Sequence, residues 1–155
     1  MIEDILSQVK GDLLKDAISK YGLTETKAEQ SVDVAKDTIT EGFQNELKGG
    51  NISGLLSLFQ GKTDLLKNPI VLGLISQYSG KLISQLGLST EAAEGISKFA
   101  IPFIMNQFTK QTEGKDMDEG SVVEMIGKGL GEDILNQFKG KLPGGLGDSL
   151  GGFFN

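Results

Sequence analysis

Apolar residues recur along this chain at spacings of three and four, the imprint of helices that bury one face. Ile2, Leu6, Val9, Leu13 and Ala17 form one such stripe, and Ala28, Val32, Ala35, Ile39 and Phe43 form a second. A third runs through Ala93, Ile96, Ala100, Ile104 and Phe108. Between the first two, Gly22 suits a left-handed helix C-cap. Thr24 then offers an N-cap oxygen, and Glu25 complements the positive end of the next helix. Gly87, Ser89 and Glu91 repeat the device. Strand alternation is scarce, and no Asn-Gly or Asp-Gly hairpin dipeptide occurs.

Sliding the chain by 65 positions superposes two halves without a gap. Ile5, Ile18, Ser19, Gly22, Leu23, Ala28, Glu29, Ala35, Ile39, Phe43 and Gly49 fall on identical residues, eleven in all, ending with Gly49 on Gly114. Beyond Gly49 a two-residue shift brings Leu55–Phe59 onto Val122–Ile126. The pattern predicts an internal duplication, each copy reading as helix, glycine turn, longer helix, glycine break and short helix. Pro69, after Asn68, fits a first helical position, whereas Pro102 falls inside a helix and predicts a kink. The run Ile70–Ile75 is apolar nearly all round, so its helix is expected to be central and covered on several sides.

From Gly127 to Asn155 the composition changes, with nine glycines in 29 residues. Leu130, Ile134, Leu135 and Phe138 keep the spacing of a short amphipathic helix. Farther on, Gly147 and Gly151 permit close backbone approach, beside apolar Leu146, Leu150, Phe153 and Phe154. Those four residues are the candidate interaction surface, whether they complete the chain's own core or meet another chain. The expected fold is therefore all-α: one multihelical domain over residues 1–155, of about eight helices. Repeat one covers about 1–66, repeat two about 68–127, and the glycine-rich segment 128–155.

Composition narrows the chemistry. The chain holds no cysteine, histidine or tryptophan, and its 15 basic residues are all lysine, set against 21 carboxylates for a net charge of −6. Thiolate chemistry, zinc–thiolate sites and a histidine base are thereby excluded. Bidentate arginine clamps are excluded as well. The acidic balance disfavours nucleic acid, which binds clustered cations. No cofactor is expected. Glycine supplies 22 of the 155 residues, about twice its usual share of roughly 7%. The acidic start Met1-Ile2-Glu3-Asp4 lacks the positive region of a secretory signal. Charge-free stretches such as Asn68–Gly80 and Phe99–Thr109 are shorter than the roughly 18 residues of a spanning helix. A cytoplasmic location is expected.

Several motifs resolve into bland readings. Gly61-Lys62-Thr63 ends like a phosphate-binding loop, but Leu56 stands where that loop needs glycine. Gly127-Lys128-Gly129 starts a dinucleotide fingerprint that Glu132 breaks. Asp116, Asp118 and Glu119 invite a calcium loop, yet Gly120 and Gly127 occupy ligand positions. Asp118 is better read as the N-cap of a helix from Ser121, with Met117 stapled to Val122. Glu29, Asp33, Asp37 and Glu41 recur every fourth residue, but they centre roughly 140° from the Ala28–Phe43 stripe at about 100° per residue, so they are expected to face water.

The element Gly87-Leu88-Ser89-Thr90-Glu91-Ala92-Ala93, followed by Ala100-Ile101-Pro102-Phe103-Ile104, resembles the repeated unit of the bacterial YidB-like family of small helical domains. The resemblance is closer over 80–127 than over 1–60, where Asp37 stands at the proline position. It implies an all-helical fold and no particular activity, and it carries no site residue across. The functional expectation is a non-enzymatic protein-interaction or self-association module, its partner itself or another protein. The alternative is peripheral membrane or apolar-ligand binding by the phenylalanine-rich helix Phe99–Phe108 and the tail. A polar face poor in lysine argues against the membrane version. A third alternative is an enzyme working with Asp, Glu, Lys, Ser, Thr or Tyr alone.

Overall fold

The computed structural model describes residues 2–62, 64–112 and 118–127. Within them lie α1 (Ile2–Tyr21), α2 (Glu25–Lys48), α3 (Ile52–Phe59), a 3-10 turn (Leu65–Lys67), α4 (Pro69–Leu86), α5 (Thr90–Thr112) and α6 (Glu119–Gly127). The protein is all-α, with no strand among the described residues. The helix expected around Leu130–Phe138 and the candidate surface Leu146, Leu150, Phe153 and Phe154 lie outside the described residues, as do Gly114 and Met117.

The helix boundaries follow from local chemistry. Thr24 accepts from the Lys27 amide at 3.1 Å, and Ser89 accepts from the Ala92 amide at 3.2 Å. Gly22 and Gly87 close the preceding helices at φ +66° and +68°, a left-handed conformation in which a Cβ would clash. Asn68 caps α4 through Ile70 and Val71, with Pro69 in the first turn as its spacing suggests. At the end of α2 the left-handed residue is Gly50, φ +82°, whereas Gly49, expected to be the turn glycine, keeps a right-handed conformation at φ −77°. The α-helix ends there by a main-chain bond from Gly49 back to Asn45, and the reversal falls one residue later.

Several pairs of residues 65 apart occupy matching environments. Val9 and Leu74, Leu13 and Tyr78, Ala28 and Ala93, Ala35 and Ala100, and Ile39 and Ile104 are all buried. Phe43 and Phe108 meet edge to face, ring centroids 5.8 Å apart, and Phe59 joins them at 5.3 and 4.6 Å. This cluster joins α2, α3 and α5, and the Thr112 hydroxyl donates to the Phe59 carbonyl at the end of α3. α1 packs on α2 and α5, α4 packs on α5 and α2, and α3 packs on α6.

Two expectations need comment. α5 runs as one helix through Pro102, whose missing N–H leaves the Lys98 carbonyl without its intrahelical donor. α4 is not covered on every side. Its buried face is Ile70, Val71, Leu74, Tyr78 and Leu82, while Leu72 is 49% exposed and Ile83 38%.

Candidate functional site

A cleft of about 390 Å³ runs between α1 and α5. Its floor is made by Phe99 and Phe103, one helical turn apart on α5 and therefore on one face. Their rings stack at 5.3 Å with 20° between planes, and both are half-buried. The wall is the outer side of α1: Asp12, Lys15, Asp16, Ser19 and Lys20.

Charge is organised around Asp16. Its carboxylate is buried, 8% exposed, beside the core residue Ala17, and a carboxylate so placed needs a partner. Lys20, one turn on, supplies it at 3.2 Å while staying largely exposed itself. The same ammonium lies 5.6 Å from the centre of the Phe99 ring. One lysine thus neutralises a buried acid and covers part of an aromatic face, a geometry in which ring quadrupole and carboxylate both favour the cation. Beyond it, Tyr21 lies against Gly95, where any Cβ would run into the phenol.

α2 and α4 also pack closely. The residues 65 positions before Phe99 and Phe103 are Val34 and Thr38, both buried in α2. There the helices interlock, with Gly42 so close to Leu74 that a Cβ would collide with its side chain. The Tyr78 hydroxyl also reaches the Ser31 carbonyl across the contact, at 2.7 Å. Phe99 and Phe103, by contrast, stay partly uncovered.

Smaller clefts of about 330 and 270 Å³ lie between α1 and α2 around Lys10, Asp33 and Lys36, and between α4 and α5 around Leu72, Ile75 and Lys98. The acidic series Glu29, Asp33, Asp37 and Glu41 faces water as its spacing requires, and Glu41 pairs with Lys81 of α4 at 2.6 Å. Asp118 caps α6, accepting from the Ser121 amide at 2.7 Å and its hydroxyl at 2.9 Å. Those bonds hold the Asp118 carboxyl below its ordinary pKa. Gly61 sits in a left-handed turn after a helix, not after the strand a phosphate-binding loop requires.

The phenylalanine-rich helix is therefore divided. Phe108 belongs to the core, while Phe99 and Phe103 line the groove. The nine-residue spacing of Phe99 and Phe108, about 180° apart at 100° per residue, carries that division in the sequence. Asp16 and Lys20 carry signals too: Asp16 falls within the apolar stripe of α1, and Lys20 stands at the four-residue spacing of a helical ion pair. Among the described residues no helix is long and apolar enough to cross a membrane. Comparison with protein-family models, with curated proteins and with solved structures finds no match.

Proposed function

We propose that this chain is a non-enzymatic helical docking module, working in the cytoplasm, whose α1–α5 groove receives an apolar side chain of a partner protein. The carrying observation is the half-exposed Phe99–Phe103 stack at the bottom of a concave groove with acid and base on its rim. Aromatic floors with a polar surround are the usual composition of interface anchor sites. The volume of about 390 Å³ also falls within the roughly 300–1,000 Å³ of small-molecule pockets, which makes a small aromatic ligand the second reading. The helix caps and the Ala100–Ile104 segment support placing the chain with YidB-like domains, a placement that adds no activity.

A photoreactive phenylalanine analogue placed at Phe103 in the full chain, expressed in the cells that make it, tests the reading. The expected result is a covalent adduct to one other polypeptide, absent when the analogue replaces exposed Thr26 at the start of α2. Adducts of equal yield at both positions, or none at Phe103, would overturn partner docking.

A further inference from the structure

The α1–α5 groove already holds a cation of its own. The Lys20 ammonium lies 3.2 Å from the Asp16 carboxylate and 5.6 Å from the centre of the Phe99 ring, so acid and aromatic face converge on one point that favours positive charge. The two sides of this ion pair are unequal: the Asp16 side chain is 7% exposed and that of Lys20 66%. An exposed lysine gives up little by turning out into water, but the buried carboxylate it leaves then needs another cation. The cleft of about 390 Å³ is open with Lys20 in place, and with Lys20 turned outward its lining sets Asp12 and Asp16 against Lys15, one negative charge in excess. Tyr21 beside Gly95 at one end, and the hydrogen bond from Gln111 to Gln8 toward the other, show that α1 and α5 run antiparallel. Phe99 therefore lies at the Lys20 end of the groove and Phe103 one turn nearer Asp12, which gives the groove a cation-binding half and an apolar half.

We infer that the groove recognises an arginine of the partner segment, whose guanidinium replaces Lys20 on Asp16 and Phe99 while a neighbouring apolar side chain rests on Phe103. The inference rests on partner docking at this groove and names the partner's chemistry. Arginine suits the pair better than lysine, because its planar fork donates two parallel hydrogen bonds to one carboxylate and its face stacks on a ring, whereas an ammonium is a point charge. This chain contains no arginine, so neither its own tail nor a second copy supplies the group. At a net charge of −6 the chain also attracts a basic partner and repels another copy of itself.

Two measurements separate the cation site from docking. Lys20→Ala removes the resident ammonium and leaves Asp16 and Phe99, and circular dichroism should show its helix content unchanged because Lys20 is exposed. Ethylguanidinium chloride at constant ionic strength should shift the NMR signals of Asp16 and Phe99 in this variant saturably, at concentrations roughly tenfold lower than when Asp16→Asn is added, the factor that one charged hydrogen bond is worth. Equal, non-saturating shifts in both proteins would overturn the inference whether or not the groove docks a partner. In the cell, the polypeptide joined to the photoreactive analogue at Phe103 should carry an arginine within about four residues of the attachment point, roughly one helical turn. Asp16→Asn should lower the yield of that adduct roughly tenfold. An adduct whose yield survives Asp16→Asn and whose partner segment lacks arginine would overturn the inference and leave docking intact. No adduct at all would overturn docking and the partner's arginine with it, even where ethylguanidinium binds.

Discussion

The Tyr78 hydroxyl of α4 donates to the main-chain carbonyl of Ser31 in α2, 2.7 Å away and fully inside the core. It ties two helices whose partners in the chain are 47 residues apart. A buried phenol without a partner would oppose folding, so this bond permits tyrosine where the other half of the chain has Leu13.

Tyr78→Phe keeps the ring and removes the bond, and the Ser31 carbonyl retains its helical donor. The expected loss is about 1 kcal/mol, read as a shift in the urea midpoint. Burial pushes the Tyr78 phenol well above its ordinary range. A raised folded pKa means the unfolded chain releases this proton first, at about pH 10. The wild-type advantage is therefore intact below pH 10 and shrinks as pH rises beyond it. Midpoints of both proteins at pH 8 and pH 10.5 should converge; a constant difference would show that Tyr78 ionises as freely folded as unfolded.

Much of the architecture was readable because helices write their period into sequence. The Ala28–Phe43 stripe, the Thr24 and Ser89 caps and the Asp118 cap all depend on neighbours within four residues, and each appears where the spacing places it. What escaped depends on distant contacts. Asp16 falls within the Ile2–Ala17 stripe at about 100° per residue, so its buried side was legible, but the Phe99 ring that shares its lysine comes from α5. The exposed side of α4 was hidden by its own composition, since an apolar run tells how a helix would be covered only when enough helices surround it. The groove was half readable, in that residue spacing separates Phe99 and Phe103 from Phe108, but only tertiary structure shows which side is open.

That division makes a direct comparison. Phe108→Ala removes a ring from the three-phenylalanine cluster and should cost about 3–5 kcal/mol. Phe103→Ala, at a half-buried position in the same helix, should cost roughly 1 kcal/mol, as expected for partial loss of apolar burial. Chemical denaturation of the two variants decides the matter. Equal losses would mean that Phe103 is core and the groove is not an open surface.

Gly22 and Gly87 hold matching left-handed caps, so alanine at either should be destabilising by about 1–2 kcal/mol. Gly11, inside α1 with open space around it, should respond in the opposite sense, gaining about 0.5–1 kcal/mol as alanine. Thermal melts of the three single variants provide the check, and a loss at Gly11 would reveal a contact the fold does not contain.

The last expectation concerns acid. Asp118 accepts the Ser121 amide and hydroxyl, and these bonds hold its carboxyl below the ordinary value of about 4. A depressed folded pKa gives stabilisation that is complete above the unfolded value and disappears as pH falls through the folded one. Asp118→Ala should therefore melt earlier than wild type at pH 7, and the difference should narrow as pH falls through the depressed folded pKa of Asp118. Asp118→Ser, which keeps a capping oxygen without a titrating group, should lie between them at pH 7 and lack this pH dependence. Amide exchange at Ser121 and Val122 localises the effect to the first turn of α6. A loss in Asp118→Ala that does not narrow anywhere on the acid side of the ordinary carboxylate range would mean that the aspartate acts by packing rather than as a charged cap.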